Sequence, residues 1–165
     1  MTAPALTIRR YETDSEARAA SQIMASAEPW IRGGRTAEQI HRNVTHPQNE
    51  SYVALIDESV VGIIILAVAI PLIKGYIAAL AVSPEHRNRG VGAALLQFAE
   101  QRIFRVSPNV FLCVSSFNSD AQRFYRRMGY TQIGVLENYD ILGTDEIFMR
   151  KTIGPWSTFK PDVAH

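Results

Sequence analysis

A glycine turn at residues 87–92, with the sequence Arg-Asn-Arg-Gly-Val-Gly, has the composition of a phosphate seat. It follows an entirely apolar stretch that Pro84 ends, because proline cannot donate to a β-ladder. It precedes a run with helical periodicity, and Gly90 and Gly92 leave the backbone there without Cβ atoms. The first N–H groups of a helix lack internal partners and carry the positive end of its dipole. We therefore expect this turn to bind a phosphate group.

Two common phosphate motifs do not fit the turn. A P-loop ends in Gly-Lys-Ser or Gly-Lys-Thr, whereas Ala93 and Ala94 follow Gly92. A dinucleotide fingerprint needs a third glycine at the position that Leu95 occupies. Neither a nucleoside triphosphate nor a dinucleotide is therefore the predicted ligand.

A second segment, residues 111–130, reads as a strand, a helix cap, a helix and a stop. Asn118 is a favoured N-cap residue, and Gly129 fits the position just after a helix. Apolar residues recur along one helical face, at Ala121, Phe124, Tyr125 and Met128. By pattern alone, Tyr125 is either a core aromatic or a functional group on the inward face.

Together the two segments resemble the acetyl-CoA signature of the GCN5-related N-acetyltransferases, the GNAT superfamily. The first matches in Arg-x-x-Gly-x-Gly behind Leu-Ala-Val-Ser-Pro, and the second in the order Asn118, Phe-Tyr, Gly-Tyr. The resemblance implies that acetyl-CoA is the cosubstrate, with pantetheine along the strand and pyrophosphate on the turn. The implied cofactor-binding residues are Leu80, Ala81, Val82, Arg87, Asn88, Arg89, Gly90, Val91, Gly92, Ala93, Asn118 and Tyr125.

The resemblance also implies the reaction. An acetyl group would pass directly to a primary amine in a ternary complex, with Tyr125 protonating the leaving thiolate and the Val82 N–H facing the oxyanion. Asn118 is expected as a cap, a cofactor contact or both. Some relatives carry a glutamate where Cys113 stands, so a non-catalytic acyl-CoA-binding module is the alternative. The apolar neighbours of Cys113 should raise the pKa of its thiol, which argues against a covalent acetyl-cysteine.

Three residues are candidates for binding the acceptor. Trp30 lies in a glycine-rich loop, where it either shapes a binding surface or covers the core. Glu137 and Tyr139 follow the sixth predicted strand, although Glu137 is equally expected as a surface residue. The acceptor itself stays open between small amines, including polyamines and aminoglycosides, and peptide N-termini.

The pattern of elements predicts an α/β (α+β) fold. We expect one domain over residues 1–153, with a mixed, mostly antiparallel sheet of about seven strands and about four helices, and a tail over 154–165. A strand over 74–82 is apolar on both faces, so both faces should be covered. The strand–helix–strand unit over 76–115 should be a parallel crossover. A helix over 92–106 should bury Leu95, Leu96, Ala99 and Ile103.

Composition narrows the classes of function. A net charge of +1 argues against a nucleic-acid binder. The segment between residues 85 and 127 is nevertheless basic, because it contains seven arginines and three carboxylates. The longest apolar run is broken by Pro71 and is too short to span a membrane. One cysteine fits a reducing compartment, so we expect a cytoplasmic protein. No metal-ligand spacing is evident. Trp156 and Phe159 make a homodimer contact through the tail one expectation.

Overall fold

The computed structural model describes residues 5–70 and 73–162. Within these residues the chain forms seven strands and four α-helices. The strands are β1 (Leu6–Arg10), β2 (Glu50–Ile56), β3 (Ser59–Ala67), β4 (Tyr76–Val82), β5 (Asn109–Ser115), β6 (Thr131–Leu136) and β7 (Glu146–Thr152). The helices are α1 (Asp14–Ala25), α2 (Ala37–Val44), α3 (Val91–Ile103) and α4 (Ser119–Arg127).

The strands form one sheet in the order β1-β2-β3-β4-β5-β7-β6. β4 and β5 pair in parallel, as the strand–helix–strand pattern predicted. The pairs β1–β2, β2–β3, β5–β7 and β6–β7 are antiparallel. The predicted α/β fold with a mixed, mostly antiparallel sheet is therefore confirmed.

The described residues divide into two compact units. The first contains residues 5–66 and 79–99. Helices α1 and α2 cover β2 and β3 there, and their apolar faces form a core with Ala20, Met24, Ile40, Val53 and Ile63. Threonine side chains accept hydrogen bonds from backbone N–H groups at the start of both helices, which fixes where each begins.

The second unit contains residues 67–70, 73–78 and 100–162. Its core includes Val110, Leu112 and Met149, which are fully buried and lie on one face of β5 and β7. The tail returns to this unit, because the Asp162 N–H donates to the Arg105 carbonyl at 2.8 Å and the two side chains form an ion pair. The tail aromatics pack edge to face on each other.

Two expectations about the elements need correction. One face of β4 is buried through Ile77, Ala79 and Ala81, but Ala78 is exposed and Leu80 and Val82 are only half-buried. The strand thus has an apolar face that the chain itself does not fully cover. Helix α3 begins one residue earlier than predicted and ends three residues earlier, although its four predicted core residues are all fully buried. The β2–β3 turn lies at Asp57 and Glu58, both of which have a positive φ.

Among the strands of the described residues, β6 stands at one end of the order, and β7 is its one partner there. Its side chains Ile133 and Val135 are 45% and 46% exposed, and Leu142 in the following loop is 93% exposed. Among the described residues, no helix is long and apolar enough to cross a bilayer.

Candidate active site

The glycine turn begins with a tightly hydrogen-bonded corner after β4. Pro84–His86 form a 3₁₀ turn, in which the His86 N–H donates to the Ser83 carbonyl at 3.0 Å. The Ser83 hydroxyl and His86 Nδ1 lie 2.8 Å apart. The Ser83 N–H donates to the Val61 carbonyl on β3 at 2.9 Å, which ties this corner to the sheet. The position of the following turn is therefore set by the strands.

Gly90 has the geometry of a phosphate seat. Its φ is +82°, a left-handed conformation that L side chains rarely adopt. A Cβ built on Gly90 meets nothing within 4 Å, so the backbone faces open space. The Gly90 carbonyl accepts the Ala94 N–H at 2.9 Å, which makes Gly90 the residue from which α3 starts. The N–H groups of Val91, Gly92 and Ala93 are thus first-turn donors.

Arg87, Asn88 and Arg89 are exposed beside this seat. Asn88 also has a positive φ of 58°, so the chain turns sharply just before the helix. The Arg87 Nε donates to the Val82 carbonyl at 3.2 Å, which draws its guanidinium back toward β4. Two cationic side chains thus flank a helix N-terminus, a charge arrangement that suits a pyrophosphate.

Gly62 on β3 lets the start of α3 approach β4 closely, and the sequence analysis did not identify it. A Cβ at Gly62 would lie 3.0 Å from Leu95 Cδ1 and 3.1 Å from the Ala81 carbonyl oxygen. A side chain there would be tighter than most Cβ contacts, so a neighbour would have to shift by a few tenths of an ångström. A glycine inside an apolar strand is the signal that marks such a close approach.

The edge of β4 is incompletely paired. Within the described residues, the β4–β5 ladder joins Tyr76 to Phe111 and Ile77 to Leu112. The later residues Leu80, Ala81 and Val82 are not part of that ladder. Backbone groups along this edge are therefore candidates to pair with an extended ligand, as an added strand would.

In the second unit, Asn118 and Tyr125 lie at the start and on the buried face of α4. The Asn118 Oδ1 accepts the Ala121 N–H at 3.2 Å, so Asn118 is the N-cap. The Tyr125 ring is 8% exposed and packs edge to face on Phe124 and on Tyr130. Burial raises the pKa of the Tyr125 hydroxyl, which therefore stays protonated at neutral pH. A hydroxyl in this state can donate a proton but is a weak base.

A polar group of four side chains lies on one face of β4, β5 and β7 in the same unit: Tyr76, Cys113, Ser115 and Glu146. The Ser115 hydroxyl donates to the Glu146 carboxylate at 2.6 Å. Cys113 is half-buried rather than buried, and burial is the main cause that raises the pKa of its thiol, as predicted. Burial also raises the pKa of Glu146, with a further rise from the charge of Asp140.

The sequence analysis missed Tyr76 and Glu146. Each is the first residue of a strand whose following residues are largely apolar. That the two side chains lie on the same face depends on the pairing register of three strands, which the sequence does not reveal.

The three acceptor candidates fall in different places. Trp30 is half-buried and packs against the core of the first unit, within a loop closed by the Arg35 N–H on the Trp30 carbonyl at 3.0 Å. Glu137 and Tyr139 follow β6 in the second unit, and both are exposed. Tyr139 interacts electrostatically with Tyr76, which places it by the polar group. The structure thus brings Tyr139, but not Trp30, together with that group in one unit.

Known proteins share parts of this sequence. A protein of Methanocaldococcus jannaschii, named an uncharacterized N-acetyltransferase, is 40% identical over 102 residues, which are 61% of this chain and 64% of that protein. An N-alpha-acetyltransferase of Sulfurisphaera tokodaii is 33% identical over 78 residues, 46% of this chain and 47% of that protein. Both matches span less than two thirds of the relative's length.

The fold also matches solved structures. An aminoglycoside 6'-N-acetyltransferase complexed with coenzyme A superimposes with a TM-score of 0.72, over 90% of this chain and 98% of that one. Its sequence is 18% identical, so this likeness concerns the fold alone. The sequence model of the acetyltransferase (GNAT) family matches residues 14–130, and the chain therefore belongs to that family.

Proposed function

We propose that the protein transfers an acetyl group from acetyl-CoA to a primary amine. The observation that carries this proposal is the Gly90 turn, where a bare backbone at a helix N-terminus faces open space beside two arginines. Membership of the acetyltransferase (GNAT) family and the acetyltransferase names of two relatives support it.

The residues present fit acetyl-CoA. The N–H groups of residues 90–93 would bind the pyrophosphate, with Arg87 and Arg89 adding charge and Asn88 shaping the turn. The free edge of Leu80–Val82 would hydrogen-bond the pantetheine, and its half-open apolar face supports that assignment. Asn118, already a helix cap, retains its side-chain amide N–H groups for a contact with the cofactor. When bound, acetyl-CoA supplies a thioester whose acyl carbon an amine can attack.

Tyr125 is the proposed acid. Its hydroxyl is protonated at neutral pH and fixed between two aromatic rings, so it can give a proton to a leaving thiolate without a large rearrangement. The Val82 N–H is the proposed donor to the oxygen of the reacting carbonyl. The transfer would be direct, because the raised pKa of Cys113 disfavours the thiolate that a covalent carrier needs.

The acceptor we propose is the α-amine of a peptide. The name of the Sulfurisphaera tokodaii relative, an N-alpha-acetyltransferase, supports an α-amine. Tyr139 and Glu137 are exposed and available to contact the acceptor, and Trp30 would shape its pocket. An aminoglycoside is the second candidate, from the named substrate of the solved structure with this fold.

Release of free CoA thiol, measured with a panel of peptides, polyamines and aminoglycosides, tests the proposal. Thiol release that depends on the amine, with an acetylated amine identified by mass spectrometry, is the expected result. Tight acetyl-CoA binding without release for any amine would instead support the non-catalytic acyl-CoA-binding alternative.

Three properties of the whole chain also stay proposals. Residues 1–153 would form the acetyltransferase domain and 154–165 a tail. The location would be cytoplasmic, in line with a single cysteine. A homodimer through Trp156 and Phe159 would have to use rings that already pack on each other.

A further inference from the structure

Glu146 is a buried carboxylate without a cation. Only 7% of its surface is exposed, and its hydrogen bond comes from the neutral Ser115 hydroxyl, at 2.6 Å from Oγ to Oε1. Within the described part of the chain, Glu146 has no Lys, Arg or His partner. Burying an ionised carboxylate costs free energy unless a partner compensates its charge, so the position of Glu146 points to a function.

The strand registers place Glu146 on the face that carries Tyr76 and Cys113. Glu146 pairs with Ser115 across the β5–β7 ladder, and Cys113 lies two residues before Ser115 on the same face. Tyr76 pairs with Phe111, which lies on that face as well. The charge of Glu146 also raises the pKa of Tyr76 and of Cys113, in keeping with this arrangement.

The other titratable groups near Glu146 are Tyr76, Cys113, Tyr139 and Asp140. The phenol and the thiol are neutral near pH 7, because burial raises the pKa of both. Asp140 is exposed, and its charge raises the pKa of Glu146. Glu146 is therefore the buried group in this set whose ionised form can accept a proton, and its raised pKa makes that carboxylate a stronger base than an exposed one.

We propose that Glu146 is the general base of the acetyl transfer and accepts the proton that an acceptor ammonium must lose before attack. This inference rests on the proposed function. The proton moves from R–NH₃⁺ to the Glu146 carboxylate, leaving R–NH₂. The amine nitrogen then bonds to the acyl carbon, and the carbon–sulfur bond breaks. Tyr125 gives its proton to the leaving thiolate. The nitrogen then loses a second proton, while Glu146 holds the first. One of these two protons restores the Tyr125 hydroxyl, and the other is released to water.

The first test is the pH profile of kcat/KM for Glu146→Gln, Glu146→Asp and the wild type, with the best amine of the panel. The wild-type rate should rise with pH as Glu146 ionises. Glu146→Gln should lose about a hundredfold in rate together with that rise. Glu146→Asp keeps a carboxylate and should keep the rise at a reduced rate. Glu58→Gln, on an exposed turn, is the control and should match the wild type.

The second test needs no cofactor. Cys113 is the only thiol, so its alkylation rate by iodoacetamide against pH reports its own ionisation. Removing the charge of Glu146 should lower the pKa of the thiol, so Glu146→Gln should be alkylated faster than the wild type at pH 8. Equal alkylation rates would refute the placement of Glu146 beside Cys113.

The outcomes separate the two proposals. An active wild type with an unchanged profile in folded Glu146→Gln overturns the general base and leaves acetyl transfer standing. If Glu146→Gln does not fold, a Glu146→Asp variant that loses the pH-dependent rise overturns it in the same way. A wild type that acetylates no amine overturns both.

Discussion

The environment of Tyr125 suits both its packing in the core and the role of acid that we propose for it. The ring fills the core of the second unit between Phe124 and Tyr130, and the same burial raises the pKa of its hydroxyl. Tyr130 is also fully buried, and its hydroxyl interacts with the Glu100 carboxylate, which together with burial raises the pKa of the hydroxyl. Comparing the same substitution at the two tyrosines therefore separates the loss of a proton donor from the loss of a buried hydroxyl.

We predict that Tyr125→Phe lowers kcat roughly a hundredfold, because the thiolate then leaves without a proton donor. Acetyl-CoA affinity, measured by calorimetry, should change little because the ring remains. Tyr130→Phe is the matched control and should keep kcat, since it removes a buried tyrosine hydroxyl from the same core but not the proposed proton donor. Equal turnover in wild type and Tyr125→Phe would reduce Tyr125 to a core aromatic.

The properties of single residues that depend on neighbours in the sequence could be predicted. The cap at Asn118, the inward face of Tyr125 and the direction of the Cys113 pKa all follow from near neighbours in the chain. Glu146 could not be predicted, because its role depends on a strand register across 31 residues.

Among the elements, helix α3 depends most on a single backbone position. Gly90 combines a left-handed φ with open space, so a methyl group there has two separate effects. One is backbone strain, which affects the folded state. The other is steric and should act on a phosphate ligand alone.

We predict that Gly90→Ala weakens acetyl-CoA binding by about tenfold, or about 1.4 kcal/mol. Gly143→Ala is the control, because Gly143 has a similar φ of +78° and also nothing within 4 Å of its added Cβ. Both variants should lose similar unfolding free energy in urea. An unchanged dissociation constant for folded Gly90→Ala, measured by calorimetry, would show that the phosphate binds elsewhere.

The hydrogen bonds between β1 and the start of α1 give a prediction about how the stability of the fold depends on pH. Hydrogen bonds from Arg9, at 2.7 Å, and from the Glu12 N–H lower the pKa of Glu16 from 4.5 to about 2. A lowered folded-state pKa stabilises the fold above the unfolded value of 4.5, and this stability is lost as pH falls toward 2. Urea midpoints should therefore fall over this range in the wild type.

Glu16→Gln should be less stable than the wild type at pH 7, and its urea midpoint should depend less on pH between 4.5 and 2. Glu58→Gln, at the exposed β2–β3 turn, should keep the wild-type slope. A Glu16→Gln slope equal to that of the wild type would show that other carboxylates control acid unfolding.

Element boundaries could be predicted within a few residues, because proline, glycine and capping residues mark them. Which faces of β4 are covered by the rest of the chain could not be predicted. A strand buried on both faces and a strand that keeps one apolar face for a ligand have the same apolar sequence, and the structure distinguishes them by the exposure of Ala78, Leu80 and Val82.

At the scale of the whole molecule, the family and the approximate number of strands could be predicted, because the two signature segments are recognisable as local patterns of residues. The reaction order is a property at this scale. With one cysteine in the chain, a thioester on the protein has a single possible carrier. That carrier is half-buried, and its raised pKa keeps it a thiol at neutral pH.

We predict that Cys113→Ala keeps most of the activity and loses about 1 kcal/mol of unfolding free energy, because a half-buried side chain leaves a small cavity. Steady-state kinetics should give intersecting double-reciprocal lines, as a ternary complex requires. Parallel lines, or an acetyl group on Cys113 in intact-protein mass spectrometry, would contradict direct transfer.

The edge strand β6 has a consequence for the behaviour of the protein in concentrated solution. One side of β6 pairs with β7, while Ile133 and Val135 are about half exposed and Leu142 almost fully so. The other terminal strand, β1, ends in two arginines, whose charges discourage pairing with another chain. Aggregation on heating or concentration should therefore begin at β6, and a lysine at Val135 would protect that edge without touching any residue proposed for catalysis.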